Sequence, residues 1–168
     1  MTILAGKRVV LGVCGSIAAF KAAQLCSTLV QAGAEVDVIL TRAAREFVTP
    51  LTFQSLTRRP VYGDLYGDVA ANPSLSSAHV DVGMHADVMV VCPATATTIA
   101  RLAHGLADDM LACTALVSRA PLVVAPAMNV AMWEHPATQA NLATLLGRGA
   151  VQVGPEFGRL AEGVVGMG

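Results

Sequence analysis

The chain of 168 residues has few charged and few aromatic side chains, at 14% and 4% of its residues. Its formal net charge is −1 and no basic stripe is visible, which argues against nucleic acid as the main partner. No apolar run reaches the roughly 18 residues that span a bilayer. The first apolar run is interrupted by Gly12 and Gly15. We therefore expect neither a membrane segment nor a signal peptide.

The cysteines lack the spacing of a metal site or of a redox pair. Cys14, Cys26, Cys92 and Cys113 contain no C-x-x-C motif and no spacing typical of metal ligands. This pattern predicts no metal and reduced thiols in a cytoplasmic protein.

Apolar residues are abundant, at 54% of the chain. The length is typical of one domain with a sizeable core. Because no membrane segment accounts for the apolar excess, we expect large interfaces between subunits and therefore an oligomer.

The first forty residues predict a β-α-β unit. Lys7 to Val13 is typical of a buried strand, Ile17 to Gln31 of a helix that Gly33 ends, and Glu35 to Leu40 of a second strand. Such a unit implies a parallel sheet with a right-handed crossover.

Further predicted strands alternate with helices along the rest of the chain. The strands are Ala86 to Cys92, Pro121 to Ala125 and Ala150 to Val153. We expect an α/β fold: a Rossmann-like or flavodoxin-like parallel sheet with helices on both faces, in three αβα layers.

Two of the strands end in turns that suit phosphate. Gly15-Ser16 precedes a helix N-terminus, but it is not G-x-G-x-x-G and lacks a Walker lysine, so an ordinary tight turn explains it equally well. Pro93 to Thr98 is rich in hydroxyls and suits phosphate or ribityl groups. The alternative is simple N-capping of the next helix by one threonine.

The third loop, Pro126 to Trp133, reads P-A-M-N-V-A-M-W. Pro126 has no N–H for a ladder, so we expect the chain to leave the sheet there, at the edge where α/β sheets bind ligands. The amide of Asn129 can hold a carboxylate or a flavin edge. The alternative is that Asn129 caps the next segment while the methionines fill the core.

Two segments are predicted to be irregular. Tyr62 to Ser77 has no regular period and leads to His79, a candidate acid, base or phosphate contact, although a lone histidine is more often a surface or capping residue. The tail from Gly154 is rich in glycine and is expected to be a flexible flap.

The three loops are expected to meet at one edge of the sheet, which is stronger evidence than any one of them. The chain shows no Ser-His-Asp set and no paired carboxylates around a cleft. A site with few reactive side chains suggests that a bound cofactor does the chemistry.

At these motifs the chain resembles the homo-oligomeric flavin-containing cysteine decarboxylases, most closely the phosphopantothenoylcysteine decarboxylase domain of the coenzyme A pathway. P-A-M-N-V-A-M-W matches the family's P-x-M-N-x-x-M-W at every fixed position. The resemblance also rests on G-V-C-G-S-I-A-A-F-K from Gly12, S-A-H-V-D from Ser77 and A-D-V-M-V-V-C-P-A-T-A-T from Ala86, and covers essentially the whole chain.

The resemblance implies that FMN is the cofactor and 4′-phosphopantothenoylcysteine the substrate. In this family the cysteinyl thiolate is oxidised to a thioaldehyde, CO2 is lost from it, and the resulting ene-thiol is reduced to 4′-phosphopantetheine.

The resemblance also assigns roles to individual residues. The cofactor residues are Gly15, Ser16, Ile17, Thr41, Phe47, Pro93, Ala94, Thr95, Thr97 and Thr98. His79 would assist deprotonation or bind the substrate, and Asn129 would hold its carboxylate, with Ala127, Met128 and Met132 shaping the pocket.

The sequence departs from the family at two positions. Thr97 stands where the P-A-S-A-N-T loop has asparagine, and Glu162 stands where the segment that clamps the substrate has the cysteine that helps to reduce the ene-thiol. We expect Glu162 to donate the proton instead, with a pKa raised by burial.

The resemblance implies a decarboxylase domain over residues 1–153, and over 154–168 the start of the clamp segment, which looks truncated. It also implies self-association as a homotrimer or dodecamer, and a possible fused phosphopantothenate–cysteine ligase. Alternative functions are oxidative decarboxylation of a peptide's C-terminal cysteine, prenyl transfer by a flavoprotein of the same fold, and a flavin-binding regulatory subunit.

Overall fold

The computed structural model describes residues 2–65, 77–161, 163 and 165–167. Its elements in chain order are β1 Arg8–Val13, α1 Ala19–Gln31, β2 Glu35–Leu40, a 3₁₀ turn Ala43–Glu46, α2 Pro50–Thr57, β3 Val61–Tyr62, α3 Ala78–Met84, β4 Val88–Ala94, α4 Ala96–His104, α5 Met110–Val117, β5 Leu122–Pro126, α6 Val130–Glu134, α7 Pro136–Gly147, β6 Val151–Gln152, β7 Phe157–Arg159 and β8 Val165–Met167.

Six strands form one parallel sheet in the order β3-β2-β1-β4-β5-β6. This is the strand order of the Rossmann fold, and it differs from the flavodoxin order. The direction of winding reverses between β1 and β4, so their carboxyl ends diverge into the crevice where such sheets bind ligands. The expected α/β fold is confirmed.

The sheet has a core on each face, because alternate residues of a strand point to opposite sides. On one face Val10, Val91 and Val124 pack with Ile99 of α4 and Leu111 of α5. On the other face Leu11, Val38 and Leu40 pack with Ala22 of α1 and Phe53 of α2. The two cores confirm the three-layer arrangement.

The structure contains elements that the sequence did not reveal. β3 is an edge strand of only two residues, and α3 has seven residues with no side-chain cap. α3 packs closely on α5, since a Cβ at Gly83 would lie 2.8 Å from the carbonyl oxygen of Thr114. Tertiary packing therefore stabilises a helix whose local signal is weak. Of the expected irregular loop, residues 66–76 lie outside the described residues.

The tail is more regular than expected. β7 and β8 form an antiparallel hairpin, with Phe157 opposite Met167 and Arg159 opposite Val165. The segment that was expected to be a flexible flap therefore contains two paired strands.

The prolines lie one position further into the sheet than predicted. Pro126 is the last residue of β5 and is in register with Ala94, while Pro93 lies within β4. The register shifts between Val91 and Ala94. A proline at the last strand position is tolerated because the ladder ends there. The chain leaves the sheet immediately afterwards.

Within residues 2–65 and 77–161, no helix has the length and hydropathy that crossing a bilayer requires.

A charged cluster ties β1, β2 and the segment before β3 together at one face of the sheet. The side chain of Asp37 is fully buried and accepts from Arg8 Nε at 2.7 Å and from Arg59 Nε at 2.9 Å. Burial of the ring and the neighbouring Asp37 charge both raise the pKa of Tyr62. The two guanidiniums offset the desolvation of the buried carboxylate.

We predict that Asp37→Asn lowers the free energy of unfolding by about 3 kcal/mol, since it removes the buried partner that Arg8 and Arg59 share and leaves them only their pairs with the exposed Asp81 and Glu35. The partial exposure of Arg8 and Arg59 argues for the lower end of the range for buried pairs. Denaturant titration measures the change. Lys7→Ala removes an exposed pair with Asp87 and serves as the control. Equal stability of the two variants would contradict the role of Asp37.

Candidate functional site

The carboxyl edge of the sheet holds a cavity of about 920 Å³. Its wall is formed by the segments that follow five strands: the turns after β1, β2 and β3, the loop and helix after β4, and α6 after β5. The lining residues are Gly15, Thr41, Arg42, Ala43, Gly63, Asp64, Leu65, Thr95, Ala96, Thr97, Thr98, Arg101, Asp108, Asp109 and Met132. The convergence predicted from the sequence therefore exists at this edge.

The turn after β1 lies directly against the turn after β2. A Cβ at Gly15 would lie 2.4 Å from the Cβ of Ala43 and 2.9 Å from its carbonyl carbon. Only glycine permits this approach without a backbone shift. Ser16 Oγ accepts from the N–H of Ala18 at 3.2 Å and so shapes the turn into α1.

The loop after β4 is organised by a threonine cap. Thr95 Oγ1 accepts from the backbone N–H of Thr98 at 3.3 Å, which makes it the N-cap of α4. The capping interpretation is therefore correct for Thr95. Thr95, Thr97 and Thr98 also line the cavity, so the same loop presents hydroxyls at a helix N-terminus.

Pro93 and Ala94 lie beneath this loop and do not line the cavity. Both are buried, and the carbonyl of Ala94 accepts from the N–H of Ala127 at 3.1 Å. This backbone bond holds the loop after β5 beside the loop after β4.

The loop after β5 combines both interpretations of its motif. Asn129 Oδ1 accepts from the N–H of Ala131 at 2.8 Å, so Asn129 caps α6 as the alternative predicted. Met128 and Trp133 pack against the core, whereas Met132 is half-exposed and lines the cavity. The cap sets the direction in which the Asn129 amide points.

Several predicted residues lie outside the cavity wall. Ser16, Ile17 and Phe47 are not part of the lining, and the side chains of Ile17 and Phe47 are at least half-exposed. Of the predicted substrate residues only Met132 lines the cavity, and Ala127, Met128 and Asn129 do not. His79 is half-buried in the first turn of α3 and is also absent from the lining. Glu162 lies outside the described residues.

The cavity also contains charged residues that the sequence analysis missed. Arg101 Nε lies 3.2 Å from Asp108 Oδ1, and Arg101 Nη1 lies 3.2 Å from Asp109 Oδ2. Asp109 additionally caps α5 by accepting from the N–H of Ala112 at 2.8 Å. An aspartate before an apolar run is an N-cap signal that could have pointed to Asp109. The position of Arg101 depends on tertiary contacts and carried no such signal.

The hairpin of the tail lies against α6. A Cβ at Gly166 would lie 2.6 Å from Cγ2 of Val130, the residue after Asn129. Gly166 is buried while Val165 and Met167 remain partly exposed. The hairpin therefore packs its glycine side on the helix that Asn129 caps.

Within the described part of the chain, no group of three or more histidine, cysteine or acidic side chains is placed to hold a metal ion.

A family model described as Flavoprotein matches residues 2–168. The chain belongs to the flavoprotein family. Two relatives named coenzyme A biosynthesis bifunctional protein CoaBC align with nearly all of it. The Bacillus subtilis relative is 49% identical over 166 residues, or 99% of this chain, and the Vibrio cholerae relative is 46% identical over 168 residues. This flavoprotein chain spans only 40% and 41% of their lengths.

Solved structures match the flavoprotein chain over most of both chains. The FMN-dependent cysteine decarboxylase SpaF is 34% identical with a TM-score of 0.83, covering 98% of this chain and 91% of SpaF. A mutant PPC decarboxylase complexed with pantothenoylaminoethenethiol is 33% identical with a TM-score of 0.82, covering 96% and 89% of the two chains.

All four cysteines of this flavoprotein are free thiols. Burial raises the pKa of Cys14, below the Gly15 turn, to about 11, and burial also raises the pKa of Cys26 to about 11. Both thiols are therefore neutral in the folded protein when an exposed cysteine begins to ionise.

We predict that at pH 8 a thiol reagent modifies Cys92 and Cys113 slowly and leaves Cys14 and Cys26 intact, while the unfolded protein loses all four thiols. Because the two pKa values are raised by folding, the associated stability is present below an unfolded pKa of about 8.5 and is lost as pH rises towards 11. Cys14→Ser should not change the number of thiols labelled in the folded protein, and Cys113→Ser should lower that number by one. Rapid labelling of Cys14 would contradict its burial.

Proposed function

We propose that this chain catalyses the FMN-dependent decarboxylation of 4′-phosphopantothenoylcysteine to 4′-phosphopantetheine in coenzyme A biosynthesis. The main support is that a PPC decarboxylase structure superimposes on 96% of the chain with a TM-score of 0.82. P-A-M-N-V-A-M-W begins at the end of β5, beside the cavity, and supplies Met132 to its wall. The CoaBC relatives, at 46% and 49% identity, support the same pathway.

The cavity fits FMN in size and in the chemistry of its wall. Its volume of about 920 Å³ lies within the usual range for small-molecule sites. Thr95, Thr97 and Thr98 offer hydroxyls beside the N-terminus of α4, and Gly15 and Thr41 also line the cavity. Both features suit an anionic, hydroxyl-bearing ligand. Bound FMN supplies the two-electron acceptor and donor that the side chains lack.

The protein's own residues orient the substrate in this proposal. Asn129 binds the substrate carboxylate, and its cap bond to Ala131 fixes the amide before the substrate arrives. Met132 shapes the adjoining wall, with Ala127 and Met128 behind it. His79 assists deprotonation of the thiol or binds the substrate, and we retain Glu162 as the proton donor to the ene-thiol.

The boundaries and the assembly are also part of the proposal. Residues 1–153 form the decarboxylase domain, and residues 154–168 begin a segment that closes over the substrate. Packing of β8 on α6 supports this second assignment. The largely exposed side chains of Ile17, Phe20 and Phe47 support self-association of copies of the chain. The bifunctional relatives support a fused ligase in the complete protein, and the free thiols support a cytoplasmic location.

A second candidate is oxidative decarboxylation of a peptide's C-terminal cysteine. The match to SpaF at 34% identity favours it. Because the CoaBC relatives are more similar at 49% identity, we prefer the coenzyme A reaction.

We predict that the purified protein carries oxidised flavin and, under anaerobic conditions, converts 4′-phosphopantothenoylcysteine to 4′-phosphopantetheine with release of CO2. A visible spectrum followed by mass analysis of the product measures both. Flavin bleaching with an ene-thiol product would instead favour the oxidative reaction. Absence of flavin after reconstitution with FMN would overturn both candidates.

We predict that Asn129→Asp keeps the fold but lowers kcat/KM by about 100-fold or more. Aspartate caps a helix as well as asparagine does, so the free energy of unfolding should change by less than about 0.5 kcal/mol. The substrate carboxylate, however, would lose a charge-assisted hydrogen bond and meet a second carboxylate.

Asn141→Asp makes the same charge change on α7, where Asn141 contacts His104, and provides the matched control. Steady-state kinetics and denaturant titration of both variants separate the two effects. Wild-type kinetics for Asn129→Asp would remove Asn129 from the substrate site.

A further inference from the structure

The charges around the cavity are unevenly compensated. Arg101 lies between the carboxylates of Asp108 and Asp109, each at 3.2 Å. Asp64 pairs with Arg45 Nη1 at 3.0 Å. The three carboxylates of the wall are thus paired with Arg101 and Arg45.

Arg42 lines the same cavity with an exposed side chain. It makes no ion pair with a carboxylate among residues 2–65 and 77–161. A guanidinium with five donors that lines a ligand cavity, and that has no carboxylate partner among these described residues, is suited to a phosphate monoester. The neighbouring acidic groups are held by Arg101 and Arg45, so they do not neutralise it.

The backbone places Arg42 beside the first turn of the site. Arg42 lies between Thr41, the first residue after β2, and Ala43, which meets the Gly15 turn so closely that a Cβ at Gly15 would be 2.4 Å from its Cβ. The Gly15 turn leads into α1, whose N-terminal N–H groups favour an anion. A phosphate at this turn would therefore meet backbone N–H donors from the turn after β1 and the Arg42 guanidinium from the turn after β2.

We propose that Arg42 binds a phosphate monoester here, and that its place beside the Gly15 turn assigns this phosphate to the flavin nucleotide. Arg42 then determines that the site takes FMN in preference to riboflavin, which lacks the phosphate. This inference rests on the proposed function, because it requires that the cavity holds a flavin.

The test compares the binding of FMN and of riboflavin to the flavin-free chain. Quenching of flavin fluorescence measures the binding. Arg42→Gln should raise the Kd for FMN by about tenfold or more and leave the Kd for riboflavin within about twofold. Arg42→Lys should recover part of the preference, because it restores the charge without the planar fork. Arg58→Gln removes the same charge from an exposed residue that follows α2, outside the cavity wall, and should change neither Kd.

Salt provides an independent readout. The preference of the wild-type chain for FMN should fall as ionic strength rises, and this dependence should be weaker in Arg42→Gln. Equal effects of Arg42→Gln on FMN and riboflavin, or equal effects of Arg42→Gln and Arg58→Gln, would overturn the proposal.

The substrate also carries a phosphate, so its contribution is measured separately. An Arg42→Gln variant that binds FMN normally but has a raised KM for 4′-phosphopantothenoylcysteine, and not for the dephosphorylated substrate, would overturn the assignment to the flavin. If the wild-type chain binds neither flavin, the proposed function itself fails. If the wild-type chain and Arg42→Gln bind FMN equally well, only the role of Arg42 fails.

Discussion

The site depends on the close approach of two turns that follow neighbouring strands. Gly15, after β1, leaves no room for a side chain against Ala43, after β2. The same strand carries Gly12, where a Cβ would lie 2.3 Å from a methyl carbon of Leu111 on α5. Gly12 therefore lets α5 pack on one face of β1, and Gly15 lets the two turns meet just after the end of β1. A larger side chain at Gly15 would separate the walls of the cavity.

The cavity wall combines backbone groups and threonine hydroxyls with acidic side chains that are paired to Arg101 and Arg45, and with Arg42. Backbone hydrogen bonds join neighbouring loops, as between Ala127 and Ala94. Thr95 and Asn129 are each fixed by a cap bond to their own helix. Such an arrangement orients a ligand well but contributes little acid, base or nucleophilic chemistry. It fits a protein in which a bound cofactor accepts and returns the electrons.

Structural and functional interpretations of one residue are not exclusive at this site. Thr95 caps α4 and also lines the cavity. Asn129 caps α6 within the motif that carries the family resemblance. A helix N-terminus next to a ligand cavity needs a cap, and a capping side chain is held in one orientation, which suits recognition. The capping explanation therefore does not remove the functional one.

The sequence by itself determined the class of fold and three of the loops. The predicted second strand, Glu35 to Leu40, coincides with β2, and the other main strands differ by one or two residues at their ends. These features are local, because the spacing of apolar residues, and the glycines and prolines that end an element, act over only a few residues of the chain. The site loops were predictable for the same reason, since each follows directly from a buried strand.

Only the tertiary structure decided the strand order and the charges of the cavity. Nothing local distinguishes the order 3-2-1-4-5-6 from other parallel orders, because strand pairing joins residues far apart in the chain. The pairing of Arg101 with Asp108 and Asp109 depends on how helices and turns meet in space. So does the place of Arg42 in the cavity wall, without a carboxylate partner among the described residues. The helix α3 likewise needs its packing on α5, since its seven residues have no side-chain cap to stabilise them alone.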